Sequence, residues 1–237
     1  MEDLFALLAF GDNGWGDQIA SGVLLTVSLA LASLPFGLII GFLLALAKKS
    51  EEASLRTAAN IYTTIFRGLP ELLTLFLVYY GGQILVQQAV RFVFPDARFE
   101  INSFVAGMIA LSFVFASYAS EAFLSAFRAI PAGQYEGGSA LGLNRLKVMQ
   151  LVVLPQLIRL ALPALGNLWL ILLKETALVS VIGLTDTMRQ TGIAARVTKE
   201  PFFFFSIACL IYLVLALISS IGLNKIEAWT RRGEVRS

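Results

Sequence analysis

From Gln18 to Ala47 the chain runs thirty residues without one charged side chain. About 20 apolar residues in a helix cross the hydrocarbon core of a bilayer, so this run specifies a long, tilted spanning helix. Four further runs share its character, at about 57–90, 101–127, 151–174 and 201–224. Charges cluster between them: only 14% of the 237 residues are Asp, Glu, Lys or Arg, while 57% are hydrophobic. Inside lipid every backbone polar group must be satisfied within its own segment. The expected fold is therefore all-α and integral to a membrane, with five transmembrane helices.

Several of these runs carry irregularities. Pro35 is expected to kink the first, and Gly37 and Gly41, one helical turn apart, permit a close helix contact. The second contains Arg67 and Glu71, four residues apart and thus on one helix face, with Pro70 bending the helix beside them. Ionisable groups within a span are costly unless paired or facing a cavity, and the expectation here is a mutual pair. The third run ends in Tyr118-Ala119-Ser120-Glu121, where Glu121 either meets a base on a neighbouring helix or lines a path. The fourth reaches spanning length only if Val148–Ile158 is joined to Leu160–Leu173, with Arg159 snorkelling and Pro155 and Pro163 breaking it into pieces. The fifth opens with four phenylalanines, Phe202–Phe205, at an interface.

Loops rich in Lys and Arg face the cytoplasm. Residues 1–17 contain Glu2, Asp3, Asp12 and Asp17 with no base, and read as an outside segment with a short amphipathic start, not as a cleaved signal peptide. With the N-terminus outside and the C-terminal tail, 227–237, inside, eleven of the 18 Lys and Arg fall inside and six outside. Four of those six, Lys174, Arg189, Arg196 and Lys199, belong to one outer stretch that also holds three acids. The part of it from Leu184 to Glu200 reads as a short helix over the outer mouth.

Composition also excludes. There is no histidine and a single cysteine, Cys209, which removes a disulfide framework, His-metal sites and His-activated nucleophiles. No Gly-x₄-Gly-Lys-Ser/Thr loop is present, so nucleotide is expected on another chain. No catalytic residue, metal or cofactor is expected, and a net charge of +2 gives no reason to invoke nucleic acid.

One polar, glycine-bearing stretch interrupts this apolar chain, Gln134-Tyr135-Glu136-Gly137-Gly138-Ser139-Ala140-Leu141-Gly142, continuing to Val152-Val153-Leu154-Pro155. Its flanking bases Arg128, Arg145, Lys147 and Arg159 place it in the cytosol. Pro131 suits a helix start and Gly142 the position just past a helix end. The spacing of Glu136, Gly142, Leu154 and Pro155 resembles the EAA coupling loop of bacterial ABC-importer permeases. The family favours alanines where this chain has Gly137 and Gly138; each glycine costs a helix about 1 kcal/mol relative to Ala, which implies a softer coupling helix.

The resemblance narrows in three further places. Arg67-Gly68-Leu69-Pro70-Glu71 followed by Tyr79-Tyr80-Gly81, Tyr118-x-x-Glu121, and Lys174-Glu175-Thr176-Ala177-Leu178 are similar to the polar amino acid branch, and the first to its arginine-transport members. It implies a type I importer permease fold over 18–226, with a periplasmic N-terminus, a cytoplasmic C-terminus and a place in the bacterial inner membrane. Implied partners are a dimer of ATP-binding subunits, a homologous permease or a second copy of this chain, a periplasmic amino-acid-binding protein and membrane lipid. Implied coupling residues are Glu136, Gly137, Gly138, Gly142, Leu154 and Pro155; pathway or gating candidates are Arg67, Pro70, Glu71, Tyr118, Glu121, Lys174, Glu175 and Thr176. The implied cargo is a basic amino acid or an opine. An ion-coupled transporter or channel, or a membrane scaffold binding a cytosolic partner, remains the alternative on the residues alone.

Overall fold

The computed structural model describes residues 2–11, 14–94 and 100–230. Asp12, the loop residues Pro95, Asp96 and Arg98, and the tail bases Arg231, Arg232 and Arg236 lie outside the described residues. Within them the chain is helical: α1 Glu2–Ala6, α2 Gly16–Lys49, α3 Ala53–Gly68, α4 Glu71–Phe76, α5 Gly82–Val93, α6 Ser103–Ala129, α7 Ala132–Ala140, α8 Arg145–Val148, α9 Leu154–Glu175, α10 Thr187–Thr198 and α11 Pro201–Thr230. Single π-helical turns join α4 to α5 and α8 to α9, and a 3₁₀ segment, Thr176–Ile182, extends α9. Five stretches are long and apolar enough to cross a membrane: Gly16–Lys49, Glu71–Phe92, Ser103–Ala129, Arg145–Ile182 and Pro201–Thr230.

The third of these, α6, is the hub. Asn102 caps it, its side chain accepting from the Phe104 N–H at 2.8 Å. Buried small residues, Ala106, Ala110, Ala116 and Ala119, run along it and let neighbouring helices approach closely. The tightest neighbour is α2. A methyl at Gly37 would come within 2.5 Å of the Phe115 ring, and one at Gly41 within 2.8 Å of Ala119 Cβ. The glycine pair in the first run is thus the α2–α6 seam inside this chain. Pro35 does not interrupt α2, which stays helical from end to end.

Two expectations about helix continuity need correction. The second run is not one helix. Residue 69, preceding a proline, is pushed toward extended backbone; Leu69 adopts φ −90°, ψ 141° and Pro70 φ −58°, ψ 134°. Amphipathic α3 therefore stops at Gly68, and the span begins afresh at Glu71. The fourth run is longer than expected and does not break at Pro163, which lies inside α9. Its irregularity is the π-helical turn Met149–Val153, one residue ahead of Pro155, where the missing proline N–H would otherwise leave a gap in the helical ladder.

Candidate functional site

The segment between α6 and α9 forms a short helix, a tight stop and a return. Pro131 caps α7 in extended backbone, and the helix ends at Leu141. Gly142 takes φ +79°, the left-handed conformation that costs glycine least. Its N–H donates to Ser139 O at 3.0 Å and the Leu143 N–H donates to Gly138 O at 3.2 Å, the paired bonds of a Schellman stop. Asn144 then caps α8, accepting from the Lys147 N–H at 2.9 Å.

The two glycines of α7 differ. Nothing lies within 4 Å of a methyl placed on Gly137, whereas one on Gly138 would meet the Val148 methyls at 3.0 and 3.2 Å. Gly138 is where α7 seats on α8; Gly137 is open. Glu136 is exposed, and Leu141 and Leu146 show 83% and 64% of their surface. Of the later motif residues, Leu154 packs against the core while Pro155 is exposed. Gln156 donates from Nε2 to Gln134 Oε1 at 3.0 Å, linking α9 back to α7.

The C-terminal end of α2 ties this hairpin to the bundle. Lys49 Nζ lies 4.3 Å from the Phe127 ring centroid and 5.4 Å from that of Tyr135, and it donates to the Tyr135 hydroxyl at 3.4 Å. Lys48, with a side chain only 5% exposed, pairs with Glu121 at 2.5 Å. Arg67 pairs with the same Glu121 oxygen at 3.3 Å and stacks its guanidinium 5.6 Å from the Tyr118 ring centroid. The expected Arg67–Glu71 pair is therefore absent. The break at Leu69-Pro70 puts the two residues on different helices and removes the one-face geometry that would have joined them. Arg67, Tyr118 and Glu121 are brought together; Lys48, Lys49 and Tyr135 complete the group and were legible only as loop charges and one ring of the polar stretch.

Glu71 joins a second group near the C-terminal end of α9, where it and Lys174 act electrostatically on Glu175. Thr176 is fully buried and donates to Leu173 O at 2.7 Å, closing the last helical turn. Lys174 faces a cavity of about 420 Å³ shared with Met188, Phe205, Cys209 and Tyr212. Beyond it, Asp186 caps α10, accepting from the Met188 and Arg189 N–H groups at 3.3 and 3.0 Å. Burial pushes its carboxyl up to about 6, against those two bonds and Arg189, which favour the charged form. Thr187 donates its N–H to Thr26 Oγ1 at 3.1 Å, and the two threonine hydroxyls are 2.8 Å apart. Sequence reasoning missed this tie. An Asp ahead of a helix is a capping signal, but a lone threonine in an uncharged span announces nothing.

The chain matches the model of the family described as "Binding-protein-dependent transport system inner membrane component" over residues 33–232. It is 42% identical over 232 residues to the nopaline transport system permease protein of Agrobacterium fabrum, covering 98% of each chain. It is 38% identical to the arginine ABC transporter permease protein of Escherichia coli, covering 92% of this chain and 97% of that one. Among solved structures, an amino acid ABC transporter with histidines superposes with a TM-score of 0.77 at 33% identity, over 90% of this chain and 94% of that one. A methionine ABC transporter in an inward facing conformation gives 0.69 at 16% identity and supports the fold alone. The chain thus belongs to the inner membrane components of binding-protein-dependent transport systems, the permease subunits of ABC importers, multi-pass proteins of the inner membrane.

Proposed function

We propose that this permease carries a basic amino acid or an opine inward, with α7 as the contact through which a separate ATPase drives it. The chain is a transport subunit and not itself an enzyme, and ATP hydrolysis is done by a separate ATPase subunit. Membership in this family replaces the ion-coupled alternative, which has no use for such a hairpin, and the scaffold alternative, which would use it without transport. The single observation that carries the coupling role is the α7–α8 hairpin: Glu136 on α7, Leu141 at its Schellman stop and Leu146 on α8 stand exposed, and Lys49 ties α7 to α2. Exposed leucines flanking an exposed acid fit a protein groove better than water.

In this reading Glu136, Gly137, Gly138 and Gly142 form the contact, and Leu154 and Pro155 pass its movement to α9. Pro70 is the joint between α3 and α4. Arg67, Tyr118 and Glu121 belong to the cytoplasmic gate, and Glu71, Lys174, Glu175 and Thr176 to the outer half of the path. The N-terminus is periplasmic and the tail cytoplasmic, which keeps α7 with the ATPase. A homologous permease or a second copy closes the path around a two-fold axis, and a periplasmic binding protein loads it. The similarity to nopaline and arginine permeases supports the cargo class.

ATP hydrolysis in proteoliposomes tests this reading. The chain is co-expressed with the neighbouring ATPase and permease genes and assayed with binding protein, and with arginine or nopaline. Hydrolysis should rise with loaded binding protein and collapse in Gly142→Asp, whose side chain opposes the positive φ. Membrane-inserted chain that recruits no ATPase would overturn the coupling role. Stimulation by neither compound would overturn the cargo class alone.

A further inference from the structure

The outer bases run against the rule that put the rest of the Lys and Arg inside, and three of them converge. Arg189 and Arg196 are seven residues apart on one face of α10. With Lys199 they line an open cavity of about 660 Å³ whose apolar wall includes Val181, Met188 and Phe205. Among the described residues no acid lines it; Glu200, next in the chain to Lys199, is not part of the wall. Arg189 is partly engaged, donating to Ser180 O at 2.9 Å and lying near the Asp186 carboxyl. Arg196 and Lys199 are exposed and make no hydrogen bond or ion pair among the described residues. Lys199 also holds φ +64°, a conformation that costs a non-glycine residue roughly 1 kcal/mol and that glycine adopts freely. A lysine at a helix stop where glycine folds more easily points to a use for its charge.

The rim is as informative as the cations. Phe202 is 87% exposed, and Val197, Val181 and Phe205 are exposed beside the bases. All lie where α11 enters its apolar run at Pro201. A small polar solute has no need of such a rim, whereas a headgroup with an acyl chain matches both halves of the site. We propose that this cavity binds the phosphate of an anionic phospholipid, held by Arg196 and Lys199, with a chain lying along Phe205 and Phe202. A phosphate accepts charge-assisted hydrogen bonds from both side chains, and basic residues at a membrane surface favour anionic lipid. The site needs no assumption about cargo.

The assembled transporter in nanodiscs of phosphatidylethanolamine and phosphatidylglycerol, released into native mass spectrometry, reads the retained anionic lipid directly. The variant Arg196→Gln/Lys199→Gly removes both free cations while relieving the backbone at residue 199, so it should assemble and melt like the parent. Arg56→Gln, on α3, is the control. The expected result is about tenfold less retained phosphatidylglycerol in the double variant and none lost in the control. Neither inorganic phosphate nor arginine or nopaline should displace the lipid. Equal retention in parent and variant would overturn the proposal. So would displacement by arginine or nopaline, which would make the cavity a cargo site, or by phosphate, which would make it a simple anion site. Should the double variant fail to assemble, Lys199→Gly alone carries the same test, with a smaller loss expected and unchanged retention overturning the proposal.

Discussion

The two ends of α2 are fastened by different physics. At its C-terminal end the ties are ionic and partly wet: Lys48 to Glu121, whose side chain is 38% exposed, and Lys49 over Phe127 and Tyr135. Near its N-terminal end they are neutral, short and dry. Thr26, Asp186 and Thr187 are fully buried, and the α10 cap rests against Gly22. Coulomb attraction falls off slowly with distance and tolerates a shift of an ångström or more. Hydrogen bonds near 3 Å between buried groups, and backbone in contact with backbone, do not. A movement delivered at α7 is therefore expected to be absorbed at the Lys48–Glu121–Arg67 group, while α10 and the N-terminal part of α2 move as one body.

The largest effect should come from Gly22→Ala. The added methyl would lie 2.9 Å from Asp186 O and 3.0 Å from the Thr187 nitrogen, both backbone atoms that no rotamer change can clear. Overpacking of this kind costs about 1–3 kcal/mol, read as a lower melting temperature in detergent. An unchanged melting temperature would show that α10 slides freely on α2 and that the two ends are alike after all.

Asp186 sharpens the same end by charge. Asp186→Ala removes the cap of α10 and should cost about 1–2 kcal/mol. The pH dependence has a definite sign. A carboxyl held near 6 in the fold, against 3.8 outside it, binds its proton more tightly when folded. Its contribution is thus complete below about pH 4 and is lost as pH rises towards 6, then constant. Asp186→Asn, which keeps an acceptor and cannot ionise, should flatten that part of the stability profile. Identical slopes in parent and Asn variant would remove Asp186 from the account.

This contrast also marks what sequence can and cannot carry. The five apolar runs, the polar hairpin between the third and fourth and the αL stop at Gly142 all rest on local rules, one helix length or one turn at a time, and they were legible. The break at Leu69 falls under a local rule too, since a residue before proline avoids helix, but the spanning length of the run from 57 to 90 concealed it. What could not be read were partners. Lys48 and Glu121 are 73 positions apart, and Thr26 and Thr187 are 161 apart. Any base on a neighbouring helix satisfies the rule that a membrane acid must be paired, so sequence alone pairs Arg67 with its neighbour Glu71 and not with Glu121, its partner in space.

Glu121→Gln tests the ionic end. It leaves Lys48 poorly exposed and without its counter-charge, yet Glu121 and Arg67 are wet enough that the stability loss should stay near 1 kcal/mol. The clearer expected change is in coupling: more ATP hydrolysed per cargo molecule, with the parent approaching the behaviour of the variant as salt is raised. A loss larger than that of Gly22→Ala would reverse the comparison and make the ionic group the rigid one.

The smallest effects belong to the hairpin glycines, and they separate seating from softness. Gly137→Ala meets open space, so α7 should gain the full helix preference of alanine over glycine, up to about 1 kcal/mol. Gly138→Ala gains the same preference but presses on Val148 at 3.0 Å, a side chain that yields by a few tenths of an ångström at some cost, so its net change should be near zero. Amide exchange along Ala132–Ala140 reads this difference where whole-protein melting would bury it. Equal slowing of exchange in both variants would mean that Val148 gives way freely and that α7 is loosely seated, in which case the cation–π and hydrogen-bond tie from Lys49 to Tyr135, and not the contact with α8, would set how far the helix can travel.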